Sequence, residues 1–134
     1  MRPRFLLWFS SADTQFNEAL RRWRAGDRAG AVLWGRQAAR RSNLAKVALA
    51  EWLTHRRRDA DATKEALKLL TEAAEAGFSE AQQTLAAWYL DKPGIRCDPE
   101  LALSWARRAA DQGNLSCQIA LVDFLTSGKY REPD

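Results

Sequence analysis

Large and small apolar residues recur along this chain in a fixed order. Trp34, Leu69 and Trp105 each stand three residues after an alanine (Ala31, Ala66, Ala102) and four before an alanine pair (Ala38-Ala39, Ala73-Ala74, Ala109-Ala110). Offsets of 0, +3 and +7 fall on one face of an α-helix. A second phrase follows each: NLAKVALAEWL from Asn43, SEAQQTLAAWYL from Ser79 and NLSCQIALVDFL from Asn114. Within it Leu49, Leu85 and Leu121 keep a 36-residue step, as do Trp52, Trp88 and Phe124. No stretch alternates polar and apolar over six residues, so the period of a half-buried strand is missing. The pattern predicts helices at about 13–25, 28–41, 43–55, 62–76, 79–91, 99–112 and 115–127.

The residues between these spans suit helix ends. Gly77 and Gly113 stand where a helix stops in a left-handed residue. Asp98-Pro99 reads as an N-cap followed by proline in the first turn, where its missing N–H does no harm. Ser79 with Gln82 has the spacing of a capping box, and Asp27 and Asp61 are placed to cap the corresponding earlier helices.

A helical phrase repeated every 35–36 residues means stacked helix pairs, because one pair cannot bury its apolar stripe alone. The expected fold is an all-α short solenoid of antiparallel helix pairs. Its units are about 13–42, 43–78 and 79–114, followed by a terminal helix at 115–127 and a tail at 129–134. Alanines at 31, 66, 102 and at 38, 73, 109 would let helix backbones approach closely.

Residues 89–121, YLDKPGIRCDPELALSWARRAADQGNLSCQIAL, resemble the Sel-one-like repeat family, a relative of tetratricopeptide repeats. The resemblance rests on Tyr89, Gly94, Ile95, Asp98, Ala102, Trp105, Ala109, Ala110, Asp111, Gly113, Asn114 and Gln118, and more loosely on residues 43–77. The chain departs from the family phrase at Lys92 and Arg58, in place of loop glycines, and at Ala50, Ala86 and Val122, in place of the glycine after leucine. The resemblance implies a right-handed α–α superhelix in a bacterial protein. It also implies a non-catalytic role as an adaptor, regulator or inhibitor that holds a protein or peptide on its concave face. Carried over by position, that face would hold Leu44, Val47, Glu51, Glu80, Gln83, Ala87, Leu90, Ile119 and Asp123.

Composition sharpens the picture in three places. Alanine is abundant, 24 of 134 residues, which favours helix. Two cysteines, Cys97 and Cys117, are too few for a disulfide scaffold and match no metal-ligand spacing, so both are expected as buried or half-buried free thiols. Residues 1–12 open MRPRFLLWF. The five-residue apolar run is shorter than the roughly 7–15 of an export signal, so this segment reads as a leader packed on the first helix. A cytoplasmic chain follows from that reading, or a periplasmic or secreted one if residues 1–12 are a truncated signal. No stretch approaches the roughly 20 apolar residues of a membrane-spanning helix.

Charge is polarised. Residues 1–58 hold 13 Lys/Arg against 4 Asp/Glu, net +9, and residues 59–134 hold 8 against 13, net −5. A basic patch of Arg21, Arg24, Arg36, Arg40, Arg56, Arg57 and Arg58 offers an alternative function, binding nucleic acid or an acidic partner. The aromatic platforms of single-strand binders are, however, assigned here to the core at Trp34, Trp52, Trp88 and Trp105, which makes nucleic acid the less favoured partner. Opposite charge at the two ends also leaves room for self-association through the solenoid ends.

No convergent reactive set is visible. His55 is the sole histidine and sits in HRRRDAD, a loop context that favours solvation. No glycine-rich phosphate cradle, HExxH or paired-cysteine motif occurs, so no enzyme, cofactor or metal is expected.

Overall fold

A computed structural model of the chain describes residues 10–55 and 59–127. These residues form seven helices and no strand: α1 (Ala12–Arg24), α2 (Arg28–Ala39), α3 (Asn43–Thr54), α4 (Ala60–Glu75), α5 (Ser79–Asp91), α6 (Pro99–Asp111) and α7 (Leu115–Thr126). Each lies within two residues of its predicted span, and the architecture is the all-α helical repeat that the periodicity predicts. Residues 1–9 of the leader, Arg56–Arg58 of the basic patch and the tail at 129–134 lie outside the described residues.

Helix ends follow local side-chain chemistry. The backbone N–H of Gly30 donates to Asp27 Oδ1 (2.9 Å) and that of Leu101 to Asp98 Oδ1 (3.1 Å), as expected. Ser11, Ser42 and Asn114 accept from Thr14, Ala45 and Cys117 in the same way, each satisfying a backbone donor that the helix cannot. Gly77 and Gly113 have φ of +91° and +87°. Past each, the chain returns a backbone bond, Phe78 N–H to Ala73 O and Asn114 N–H to Ala109 O (3.0 and 3.1 Å).

Two caps differ from expectation. Asp59 rather than Asp61 starts α4: its carboxylate accepts from the Asp61 N–H (3.0 Å), and Asp61 falls in the first turn, where a negative charge suits the helix dipole. Ser79 and Gln82 form no capping box. Phe78 occupies the N-cap without a side-chain acceptor, and Gln82 is drawn inward, where its amide donates to Ala74 O at the end of α4 (3.0 Å). Gln118 repeats this bond 36 residues on, to Ala110 O (3.0 Å). The buried demand of a helix-end carbonyl outweighs a surface cap.

The fold divides into two compact units, Met1–Leu69 and Leu70–Asp134, with the division inside α4. In the first, α1 packs on α2 and α2 on α3; Arg36 of α2 also holds Glu65 of α4 with two bonds (3.0 and 2.9 Å). In the second, α5 packs on α6 and α6 on α7. Ala31, Ala38, Ala66, Ala73, Ala102 and Ala109 are all buried, as close helix approach requires. Trp34 and Trp105 are buried beside them, each with a guanidinium over its ring, Arg22 at 5.9 Å and Arg108 at 4.5 Å. Leu69 is the exception: it is half-buried, and its neighbour Leu70 fills the core.

Candidate partner-binding grooves

Unit Leu70–Asp134 carries an open groove of about 230 Å³ between α5, α6 and α7. α5 contributes Gln83, Ala86, Ala87 and Leu90; α6 contributes Ala102, Leu103 and Ala106; α7 contributes Ser116, Cys117, Ala120, Leu121 and Phe124. The spacing 83, 87, 90 places the α5 residues on one face. Small alanines set the depth, while Leu90, 40% exposed, forms an apolar lip. Polar groups are few. Gln83 Oε1 accepts from Asn114 Nδ2 (3.0 Å), which ties the mouth of α5 to the start of α7. Such a surface is suited to burying an apolar side chain, with Ser116 and Gln83 able to orient its backbone.

Three of the nine positions expected on the concave face, Gln83, Ala87 and Leu90, come together in this groove. Glu80 lies exposed in the first turn of α5, and Leu44 and Glu51 lie exposed on α3. Val47 does not belong to an open face: it is 7% exposed, because the same face of α3 is covered. Ile119 and Asp123 lie outside the groove, since α7 turns Ser116, Ala120 and Leu121 to it instead. Facing helices present different register positions to one another, so a position that lines the groove on α5 points away from it on α7. Leu121 and Phe124 line the groove although the same register positions on α5, Leu85 and Trp88, are buried, so their place in it was not legible in the sequence.

A second groove, about 850 Å³, lies in unit Met1–Leu69. In its wall Trp52 stacks on Trp23 (5.0 Å) and Arg28 lies over Trp23 (3.8 Å), and Phe16, outside the groove, stacks on Trp52 (6.3 Å). His55, although exposed, sets its ring edge-on to Trp23 at 5.4 Å. The aromatic faces are therefore engaged within the unit, and the groove is also lined by Leu33, Asp61 and the Arg36–Glu65 pair. Of the basic patch, Arg21 and Arg36 already hold carboxylates, those of Glu18 and Glu65, while Arg24 and Arg40 are exposed. Glu18 bonds both Arg21 (2.6 Å) and Arg22 (2.9 Å), and this pairing holds its carboxyl below the ordinary range.

Both cysteines are free. Cys117 is buried, and burial pushes its thiol up, keeping it protonated and unreactive. Cys97 is exposed rather than buried or half-buried. It lies between α5 and α6, with its Sγ 3.6 Å from Leu90 O, where no helix packs over it. Among the described residues no group of three or more His, Cys, Asp or Glu side chains could hold a metal ion, and no helix is long and apolar enough to cross a membrane.

Fold and grooves together define an all-α helical-repeat solenoid. The chain is similar to the crystal structure of a Sel1 repeat protein from Oxalobacter formigenes, with a TM-score of 0.74 and 23% sequence identity over 92% of this chain. This is the repeat type that residues 89–121 resemble. The match covers 51% of that protein, so the chain spans about half its length. No protein-family model matches the sequence, and no curated protein matches it.

Proposed function

We propose that this chain is a non-catalytic protein-interaction module that binds an apolar segment of a partner protein or peptide in the groove of α5, α6 and α7. The observation that carries this reading is the groove itself, open and apolar, with Leu90, Leu121 and Phe124 around a floor of alanines. The likeness to a Sel1 repeat protein supports it, because helical repeats present extended binding surfaces of this kind. Within that reading the chain acts as an adaptor, a regulator or an inhibitor of its partner. The basic patch supports nucleic-acid binding less well, because two of its four described members already hold carboxylates.

The test is capture of a partner from the source lysate by the wild-type chain and by Leu90→Glu, with helix content checked by circular dichroism. A charge at the lip should abolish capture by a chain that remains folded. Undiminished capture by the folded variant would remove the groove from the binding surface.

A further inference from the structure

The groove of α5, α6 and α7 has a margin charged with one sign. Ala86, Ala102, Leu103 and Cys117 line it from buried positions and form its floor. Ala87 on α5 and Ser116 and Ala120 on α7 line it from exposed positions and so mark its mouth. At 3.6 residues per turn, Glu80 and Asp91 fall on the stripe of Ala87, two turns before it and one turn after. Asp123 falls on the stripe of Ser116 and Ala120, just outside the groove. All three carboxylates are exposed, and they form no ion pair among the described residues. They are the only charged residues of α5 and α7, and neither helix holds a lysine or arginine. Asp91 ends α5, where the helix dipole disfavours a carboxylate, so helix stability does not account for it. Cations of the same unit are turned elsewhere. Lys92 lies over Trp88 (4.6 Å) and Arg108 over Trp105 (4.5 Å), and neither Arg96 nor Arg107 lines the groove. Residues 70–134 hold 6 Lys/Arg against 10 Asp/Glu, net −4. The other side of α7, through Leu115, Ile119 and Val122, is open but uncharged and selects no occupant.

We infer that the groove takes a basic segment of a partner protein: one large apolar side chain set among the alanines, with lysine or arginine on either side of it. This rests on the groove being the binding surface. Size selects the anchor. A groove of about 230 Å³ is smaller than the roughly 300–1,000 Å³ of small-molecule sites, so it fits a side chain rather than a whole small ligand. Charge selects the flanks. An apolar mouth bordered by three unpaired carboxylates attracts cations and repels an acidic segment. Spacing sets where the cations fall. Glu80 and Asp91 stand about 16 Å apart along α5 at 1.5 Å per residue, which an extended segment covers in about five residues at 3.3 Å each. The cations therefore belong two or three residues from the anchor on each side.

The test titrates the full chain with three heptapeptides capped at both ends. Each has phenylalanine at its centre and alanine beside it, followed on each side by two lysines, two serines or two glutamates. Backbone amide shifts are followed by NMR at about 10 mM salt, where charges act over about 30 Å. The lysine peptide should shift amides of α5, α6 and α7 and bind at least tenfold tighter than the serine peptide, and the glutamate peptide should not bind. Raising the salt to about 0.15 M should narrow the gap. The triple variant Glu80→Gln, Asp91→Asn, Asp123→Asn should bind the lysine peptide about tenfold more weakly, three exposed pairs being lost, with the serine peptide and helix content unchanged. Lysine and serine peptides that bind these helices alike would overturn the inference and leave the apolar groove standing as the binding surface. Equal binding of a lysine peptide with serine in place of phenylalanine would show that charge acts without an anchor, and overturns it too. So does a lysine peptide that shifts no amide of α5, α6 or α7, a result separate from the capture experiment on Leu90→Glu. A chain that self-associates, and is dissociated by the lysine peptide, would put a second copy of this chain in the groove and overturn the assignment to a separate partner.

Discussion

At the scale of single residues, the best-defined electrostatic device is Glu18. Its carboxylate sits between Arg21 and Arg22, and Arg22 reaches on to Asp27 (2.9 Å), the cap of α2. One side chain thus ties the last turns of α1 to the start of α2. The lowered folded-state pKa gives the sign: the stability it contributes is complete above the ordinary glutamate range and is lost as pH falls through the lowered value. Glu18→Gln should cost roughly 0.5–1 kcal/mol at neutral pH, the upper range for a partly exposed pair. In chemical denaturation the difference from wild type should vanish at a pH where Glu18 is protonated in both states. An equal difference at every pH would mean that packing, rather than charge, holds the contact. The sequence showed the arginines of this region but not that Glu18 sits between two of them, because pairing at i+3 and i+4 depends on the rotamers that α2 allows.

At the scale of elements, helix pairs meet through alanines. Ala102 lies at the crossing where α6 packs between α5 and α7, and it also forms part of the groove floor. Ala102→Leu should overpack this crossing by about 1–3 kcal/mol. Thermal unfolding checks it, and an unchanged midpoint would mean that the helices do not approach at this residue. Element boundaries were legible to within two residues, because caps and left-handed glycines are written locally. The two misread caps, Ser79 and Asp61, were settled by other demands. Gln82 is claimed by the Ala74 carbonyl, and Asp59, two residues earlier, takes the cap of α4.

At the scale of the whole molecule, the repeat makes the same register position a measure of what covers each helix. In the second unit that cover thins from α5 to α7: Leu85 and Trp88 are buried, while their counterparts Leu121 and Phe124 are half-buried. Stability in a repeat fold is a sum of units and their interfaces, so the helix with one open side should open most readily. Amide hydrogen exchange should find α7 the least protected of α5, α6 and α7. Protection of α7 equal to that of α5 would contradict the picture of a helix with one open side.

The sequence by itself determined the fold class, the helix spans, the small-residue crossings and the repeating register, because each depends on periodicity or on chemistry within a few residues. Tertiary structure alone decided which copies of a repeated position face solvent. Val47, Gln83 and Ile119 are one position in sequence but buried, groove-lining and exposed in turn, since burial depends on the helix lying opposite. For the same reason Ile119 and Asp123 lie outside the groove while Leu121 and Phe124 line it. A repeat specifies the surface each helix offers; only the neighbours it actually has determine whether that surface is core, groove or open to solvent.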